Sequence, residues 1–317
     1  MIGLRSIDSF YVGGTDLTLA GLPVAERRMA AGAAPRRIDP NGACVTGQMY
    51  VQAYRQVAPR HPLPVLLWHG GGLTGACWET TPDGRPGWLM WFLEQGFDVL
   101  VSDAVERGRA GWSRWPEIYA EPPFFRTKNE AWEAFRIGPA GSWNDDPARR
   151  IAHAPMLFPT EAMDAFARQF VPRWADREAI TMAAYAALLD RVGPCIVVAH
   201  SQGGGFAFEA AQIRPEAVRA VVALEPSGGP AAVSSAATRH LVLWGDRVWG
   251  HPEWSRYRSV ADAHIGRIAA AGGIVRMIDL PEEGVAGNSH MLMMDRNSDA
   301  LAARVLAWLA EIGVAGA

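Results

Sequence analysis

The stretch VAHSQGGG occupies residues 198–205 and continues an apolar run that begins at Cys195. Ala199, Ser201 and Gly203 fit the pattern small-x-Ser-x-Gly, in which a sharp strand-to-helix turn exposes a serine oxygen. The residues two positions from the serine must be small because the turn presses them together. The alternative, a glycine-rich turn with an incidental serine, does not explain the apolar run before it or the helical pattern after it. The stretch therefore predicts Ser201 as a nucleophile.

A second glycine-rich turn ends the apolar run of PVLLWHGGGLTG at residues 64–75. Three consecutive glycines let backbone N–H groups approach a substrate carbonyl and bind its developing negative charge. We expect the N–H of Gly71 and that of Gln202, the residue after the predicted nucleophile, to form this oxyanion hole. The predicted supporting residues are His69, Gly70, Gly72 and Gly203.

A general base is predicted at His290. In the strand-turn-helix arrangement of such a serine, the order along the chain is Ser, then Asp or Glu, then His. His290 lies in the loop EEGVAGNSHMLMMD, after the last predicted strand and before the last helical pattern. His69, within the triple-glycine turn, is predicted instead to orient that loop by hydrogen bonding.

Two carboxylates compete for the role of the acid. The pattern WGxxD would place it at residue 248, but Val248 stands there and Asp246 comes two residues early. Glu225 ends the apolar run AVVALE, where an unpaired buried carboxylate would be costly. We predict Glu225 as the acid and retain Asp246 as the alternative.

The distribution of apolar runs predicts an α/β fold with a mostly parallel sheet of about eight strands flanked by helices. The runs are continuously apolar, as in parallel strands covered on both faces, and helical patterns separate several of them. The predicted strands are 9–14, 47–55, 64–70, 97–103, 195–200, 220–225, 240–246 and 274–280. The predicted helices are 88–95, 160–170, 177–192, 206–214, 256–271 and 298–312.

One connection is too long for a single strand-helix unit. It separates the strands that end at Asp103 and begin at Cys195, and we interpret 107–175 as an inserted helical cap. Residues 1–106 and 176–317 then form the core. The cap's tryptophans could line a substrate pocket or simply pack the cap on the sheet; they are Trp112, Trp115, Trp132, Trp143 and Trp174.

Composition narrows the range of partners. The chain has 317 residues, with 30 basic and 33 acidic side chains and a formal net charge of −3. No long run of either charge points to nucleic acid or to an anionic membrane. No apolar stretch is long enough to span a bilayer, and the N-terminus has no signal-peptide pattern, so we expect a cytoplasmic protein. The three cysteines lack metal-binding spacing, and no metal or other cofactor is predicted.

These motifs together resemble the α/β-hydrolase superfamily, and within it a bacterial carboxylesterase group typified by esterase 713. The resemblance rests on HGGGLTGACWETTPDGRPGW (69–88), VSDAVERGRAGWS (101–113), AHSQGG and the late Ser-His pair, and covers most of the chain from about residue 40. It implies an α/β-hydrolase fold, an acid on the strand after the nucleophile helix, and a homodimer as an option. The esterase that typifies the group has two adjacent cysteines where this chain has Gly71-Gly72.

The predicted function is hydrolysis of a small-molecule carboxylic ester through an acyl-enzyme, with Ser201 as nucleophile, His290 as base and Glu225 as acid. A lactonase or amidase with the same three residues is the alternative, because pocket shape selects the leaving group. A non-catalytic binding protein on the same fold is a further alternative. The presence of nucleophile, base, acid and glycine turn together argues against it.

Overall fold

An eight-stranded sheet forms the centre of the computed structural model, which describes residues 2–112, 118–119 and 121–315. Its strand order is β1-β4-β6-β5-β7-β8-β9-β10. The last six strands in this order are parallel, and β1 and β4 form a long antiparallel hairpin at one edge. The strands, including the separate pair β2 and β3, are β1 Leu4–Leu19, β2 Ala25–Arg27, β3 Arg36–Ile38, β4 Gly42–Gln56, β5 Val65–Trp68, β6 Val99–Asp103, β7 Cys195–His200, β8 Val218–Leu224, β9 Arg239–Trp244 and β10 Val275–Asp279.

Helices flank the sheet as expected from the sequence. They are α1 Ala76–Glu79, α2 Trp88–Glu94, α3 Lys128–Ala134, α4 Met163–Phe166, α5 Glu178–Val192, α6 Gln202–Ile213, α7 Pro252–Ala270 and α8 Ser298–Glu311. The predicted fold class, a mostly parallel sheet of about eight strands with flanking helices, is confirmed.

The prediction of a regular helix over 160–170 is wrong. Short 3₁₀ turns at Thr160–Ala162 and Ala167–Gln169 flank the single turn of α4. Met163 and Phe166 are the buried residues of α4, and their spacing of three suits 3₁₀ geometry as well as an α-helix. The apolar spacing that predicts an amphipathic helix here therefore comes from a succession of short helical turns.

The continuously apolar strands are explained by burial on both faces of the sheet. In β5, Val65 and Leu67 belong to the buried cluster that includes residues of α2 and α8. Leu66 and Trp68 belong to the opposite cluster, with residues of α5, α6 and α7. Because neighbouring side chains of a strand point to opposite faces, both alternating sets must be apolar.

The long segment between β6 and α5 packs on the sheet through its own aromatic residues. Trp132 and Phe166 are fully buried in the same cluster as Val65 and Leu67 of β5. Trp143 packs edge-on against Trp132, and Trp174 packs against Tyr119 and Trp112. Trp115 lies outside the described residues. The cap boundaries 107–175 stay a prediction.

Candidate active site

Ser201 occupies a strained turn between β7 and α6. Its φ of 53° and ψ of −118° lie in a region that residues with a side chain rarely adopt. The turn is fixed by hydrogen bonds, since the N–H of Ser201 donates to the carbonyl of Leu224 at 3.0 Å. A Cβ on Gly203 would lie 2.6 Å from the carbonyl oxygen of His69, and one on Gly204 would lie 2.7 Å from Cβ of Pro226. The glycines after the serine are thus required by close approach of the neighbouring loops.

His290 and Glu225 meet at the same end of the sheet. Nδ1 of His290 lies 2.6 Å from Oε2 of Glu225, and both side chains are buried. Nε2 of His290 is buried and has no hydrogen-bond partner among the described residues. The imidazole lines the same cavity as Ser201, although no hydrogen bond joins the serine hydroxyl to Nε2. Such contacts are often long before substrate binds.

Arg136 holds the other side of the Glu225 carboxylate. Its Nη2 donates to both carboxylate oxygens, at 2.5 and 2.7 Å, and the N–H of Gly245 donates to Oε1 at 2.8 Å. Arg136 is itself anchored, because its Nε donates to the carbonyl of Asp246 at 2.7 Å. The carboxylate of Glu225 is therefore buried with a cation, an imidazole and a backbone donor. Sequence reasoning missed Arg136.

Asp246, the alternative acid, does not contact His290. Its carboxylate accepts a hydrogen bond from the N–H of Gly287, and its own N–H donates to the carbonyl of Asn288 at 3.0 Å. Both contacts fasten the loop that precedes His290. Asp246 therefore supports this loop through hydrogen bonds and does not lie beside the imidazole of His290.

A second buried carboxylate, Asp295, also fastens the loop of His290. It accepts hydrogen bonds from the N–H of Ser289 at 2.9 Å, from the hydroxyl of Ser289 at 2.7 Å and from Nδ2 of Asn288 at 2.8 Å. Burial raises the pKa of Asp295 to about 7 despite these donors. Ser289, the residue immediately before His290, is thus fixed by hydrogen bonds of both its main chain and its side chain.

Aromatic rings surround the imidazole of His290. The ring of Trp254 lies 3.8 Å away and that of Phe135 5.3 Å away, measured between centroids. Burial, with the Arg136 guanidinium nearby, holds the pKa of His290 well below its ordinary value. Its imidazole is consequently neutral at neutral pH, which is the state a general base requires.

The triple-glycine turn is fixed by His69. Its Nε2 accepts a hydrogen bond from the N–H of Ala104 at 3.0 Å, so the proton sits on Nδ1, which donates to the carbonyl of Gly70 at 2.8 Å. Burial lowers the pKa of His69 to about 4. A Cβ on Gly70 would lie 3.0 Å from Cβ of Ser201, and Gly72 has a φ of +73°. The turn therefore lies directly against the serine.

The two residues expected to form the oxyanion hole line the same cavity. Gly71 lies on the turn, and Gln202 is the first residue of α6. First-turn N–H groups have no acceptor within their own helix, so that of Gln202 is available to an anion. The cavity has a volume of about 120 Å³. Arg126 and Arg173 of the segment between β6 and α5 also line it.

A solved structure described as a novel bacterial esterase is similar to this chain over almost its whole length. The two are 31% identical, with a TM-score of 0.83, and the match covers 98% of this chain and 97% of the esterase. The chain belongs to the α/β-hydrolase family of esterases. A fungal protein named "Probable secreted lipase phiG" (Fungal sp., strain ATCC 74256) is 28% identical over 327 residues, covering 82% of this chain and 85% of the lipase. No protein-family model matches the chain.

Family membership confirms the resemblance predicted from the motifs. In this α/β-hydrolase, none of the described helices is long and apolar enough to cross a bilayer. The cytoplasmic location stays a prediction. Among the residues that sequence reasoning missed, Arg136 and Trp254 contact the predicted acid and base. Neither stands in a local pattern that would have marked it.

Proposed function

We propose that this α/β-hydrolase is a serine carboxylesterase that acts on small-molecule esters through an acyl-enzyme intermediate. The observation that carries the proposal is the arrangement around His290. Its Nδ1 is hydrogen-bonded to a buried carboxylate, its Nε2 has no partner among the described residues, and Ser201 lines the same cavity. This is the relation that a nucleophile, a base and an orienting acid need.

The resting charges suit the first step. With its proton on Nδ1, donated to Glu225, the imidazole of His290 presents a lone pair on Nε2. Ser201 Oγ attacks the ester carbonyl carbon as its proton passes to Nε2. The negative charge that develops on the carbonyl oxygen is received by the N–H groups of Gly71 and Gln202. Glu225 stabilises the imidazolium formed in this step.

Collapse of the tetrahedral intermediate breaks the bond to the alcohol oxygen, which takes the proton from Nε2 and departs. Water then attacks the acyl-serine, giving its proton to Nε2, and a second collapse returns the proton to Ser201 and releases the carboxylic acid. Arg136 takes no proton in this scheme. It orients the Glu225 carboxylate through two hydrogen bonds and places a positive charge beside it in a buried position.

Covalent labelling tests the proposal. A fluorophosphonate phosphonylates only a serine that is activated by a base, and mass spectrometry of the digested protein locates the label. We expect one label, on the peptide containing Ser201, and none in Ser201→Ala. We also expect labelling of Ser201 to be much slower in His290→Ala. Absence of labelling at Ser201 in the wild-type protein, or unchanged labelling of the alanine variant, would contradict the proposal.

A further inference from the structure

Two arginines of the segment between β6 and α5 reach the predicted oxyanion loop. A Cβ on Gly71 would collide with Nη1 of Arg173, and a Cβ on Gly72 would lie 3.6 Å from Nε of Arg126. Both arginines line the cavity that contains Ser201. Because neither glycine has a side chain, the guanidinium groups approach the backbone that is to receive the reacting carbonyl.

Arg173 is the uncompensated cation of this pair. Among the described residues, its side chain forms no hydrogen bond and no ion pair. Arg126 does have a partner, since its Nη1 lies 2.5 Å from Oε1 of Glu130. That carboxylate is half exposed, and Nε of Arg126 is buried with no partner among the described residues.

Other charged groups near the loop do not neutralise Arg173. Glu253 lines the cavity, but it is exposed and accepts a hydrogen bond from the hydroxyl of Tyr257 at 3.0 Å. Arg107 is buried near Arg173, and the buried carboxylate of Glu106 lies close enough to offset its charge; burial, with the nearby Arg173, lowers the pKa of Arg107 to about 10. Arg126 and Arg173 therefore lie against the loop, and Arg173 faces the cavity with no anionic partner among the residues that the structure describes.

The position of Arg173 fits the length of a small substrate. Gly70, the residue before Gly71, lies so close to the nucleophile that a Cβ on it would be 3.0 Å from Cβ of Ser201. Since consecutive Cα atoms are about 3.8 Å apart, the Arg173 guanidinium lies one residue further along the loop from the nucleophile. A chain of a few carbon atoms spans this gap.

Resting on the proposed esterase activity, we propose that the preferred substrate is an ester that carries a carboxylate, and that Arg173 binds this carboxylate with the help of Arg126. The planar guanidinium matches a carboxylate in a two-pronged hydrogen bond, and a partly enclosed cavity strengthens that contact. A neutral ester leaves the Arg173 cation without a counter-charge. Arg173 is therefore a specificity-determining residue.

Matched pairs of anionic and neutral esters test this assignment. Mono-p-nitrophenyl adipate and its methyl ester place the carboxylate on the acyl side, whereas 4-acetoxybenzoate and its methyl ester place it on the alcohol side. We expect kcat/KM for the anionic member of at least one pair to exceed that of its neutral partner about tenfold or more. Arg173→Met should lower this ratio about 10- to 100-fold, and Arg173→Lys should lower it less.

Arg168→Met is the matched control, because Arg168 is an exposed arginine on the same segment that does not line the cavity. Its anionic-to-neutral ratio should equal that of the wild-type protein. A wild-type ratio near or below one in both pairs would overturn the assignment. So would an equal loss for both members of a pair in Arg173→Met, which would indicate that Arg173 supports the loop and does not bind a carboxylate.

Binding to an inactive protein separates this inference from the proposed function. Calorimetric titration of monomethyl adipate and of 4-acetoxybenzoate into Ser201→Ala requires no turnover. We expect at least one of them to bind about tenfold more weakly, or more weakly still, when Arg173→Met is added. Equal affinities in the two proteins would overturn the inference even if neutral esters are hydrolysed through Ser201. Lack of turnover with a retained Arg173-dependent affinity would instead contradict the proposed function.

Discussion

Replacing Glu225 by Gln removes the charge beside His290 with little change in shape. Oε2 of Glu225 faces Nδ1 of His290, and Oε1 receives the N–H of Gly245. If the new amide N–H₂ group faces His290, two donors oppose each other and the imidazole must move its proton to Nε2. If the amide faces Gly245, a buried donor there loses its acceptor. In the first orientation the imidazole cannot accept the serine proton.

The loss of the negative charge of Glu225 sets the expected decrease in kcat. With charge centres about 4 Å apart and an effective dielectric constant of about 20, a carboxylate stabilises an imidazolium by about 4 kcal/mol. That energy corresponds to about 10³-fold in rate. We therefore expect Glu225→Gln to lower kcat by about three orders of magnitude.

The assay is release of p-nitrophenol from p-nitrophenyl butyrate, with circular dichroism to verify folding of each variant. Asp246→Asn is the control, since the amide oxygen can still accept the hydrogen bond from Gly287. It should change kcat less than about tenfold. A folded Glu225→Gln protein with kcat within tenfold of wild type, or a larger loss in Asp246→Asn, would refute the role of Glu225.

Three further changes test the surroundings of the site. Arg136→Met leaves the buried carboxylate of Glu225 without its cation, so the free energy of unfolding should fall by about 3–5 kcal/mol in chemical denaturation. The same change removes a cation that depresses the pKa of His290, so the acid limb of the kcat/KM profile should move to higher pH. In the wild-type protein this limb should lie below pH ~6.5, because protonation of the base abolishes activity and burial lowers its pKa. Gly203→Ala should destabilise the fold by about 1–3 kcal/mol and reduce activity, because its Cβ would lie 2.6 Å from a carbonyl oxygen. Gly205→Ala should be tolerated, because its Cβ would lie 3.3 Å from the carbonyl oxygen of Ser227.

The same measurements would also reveal results that contradict these predictions. An unchanged acid limb in Arg136→Met would contradict the electrostatic link to His290. A wild-type acid limb at or above pH ~7 would contradict a depressed pKa of the base. Equal melting temperatures for the two alanine variants would contradict the steric reason for glycine in the first turn of α6, where alanine otherwise favours the helix.

The parts of the site that local sequence patterns predict are those with a local physical cause. The turn at Ser201 needs small neighbours, and this need is visible as glycines after a strand. Glu225 could be singled out because a carboxylate at the end of a buried strand requires partners. The structure brings Ser201, Glu225 and His290 to one end of the sheet. Asp246 instead supports the loop that precedes His290.

The parts that could not be predicted depend on distant packing. Arg136 lies 89 residues from Glu225 and comes from the segment between β6 and α5, so no spacing links the two. Trp254 reaches the imidazole from the first turn of α7. Arg126 and Arg173 meet the loop only once that segment has folded over the sheet. Such contacts have no sequence period, whereas strands and helices have one.

The ester-cleaving role of Ser201 is tested most directly by p-nitrophenol release from p-nitrophenyl butyrate, measured side by side for the wild-type protein and Ser201→Ala. We predict steady turnover by the wild-type protein and only the buffer rate in the folded alanine variant. Turnover that survives in Ser201→Ala would contradict nucleophilic catalysis by Ser201.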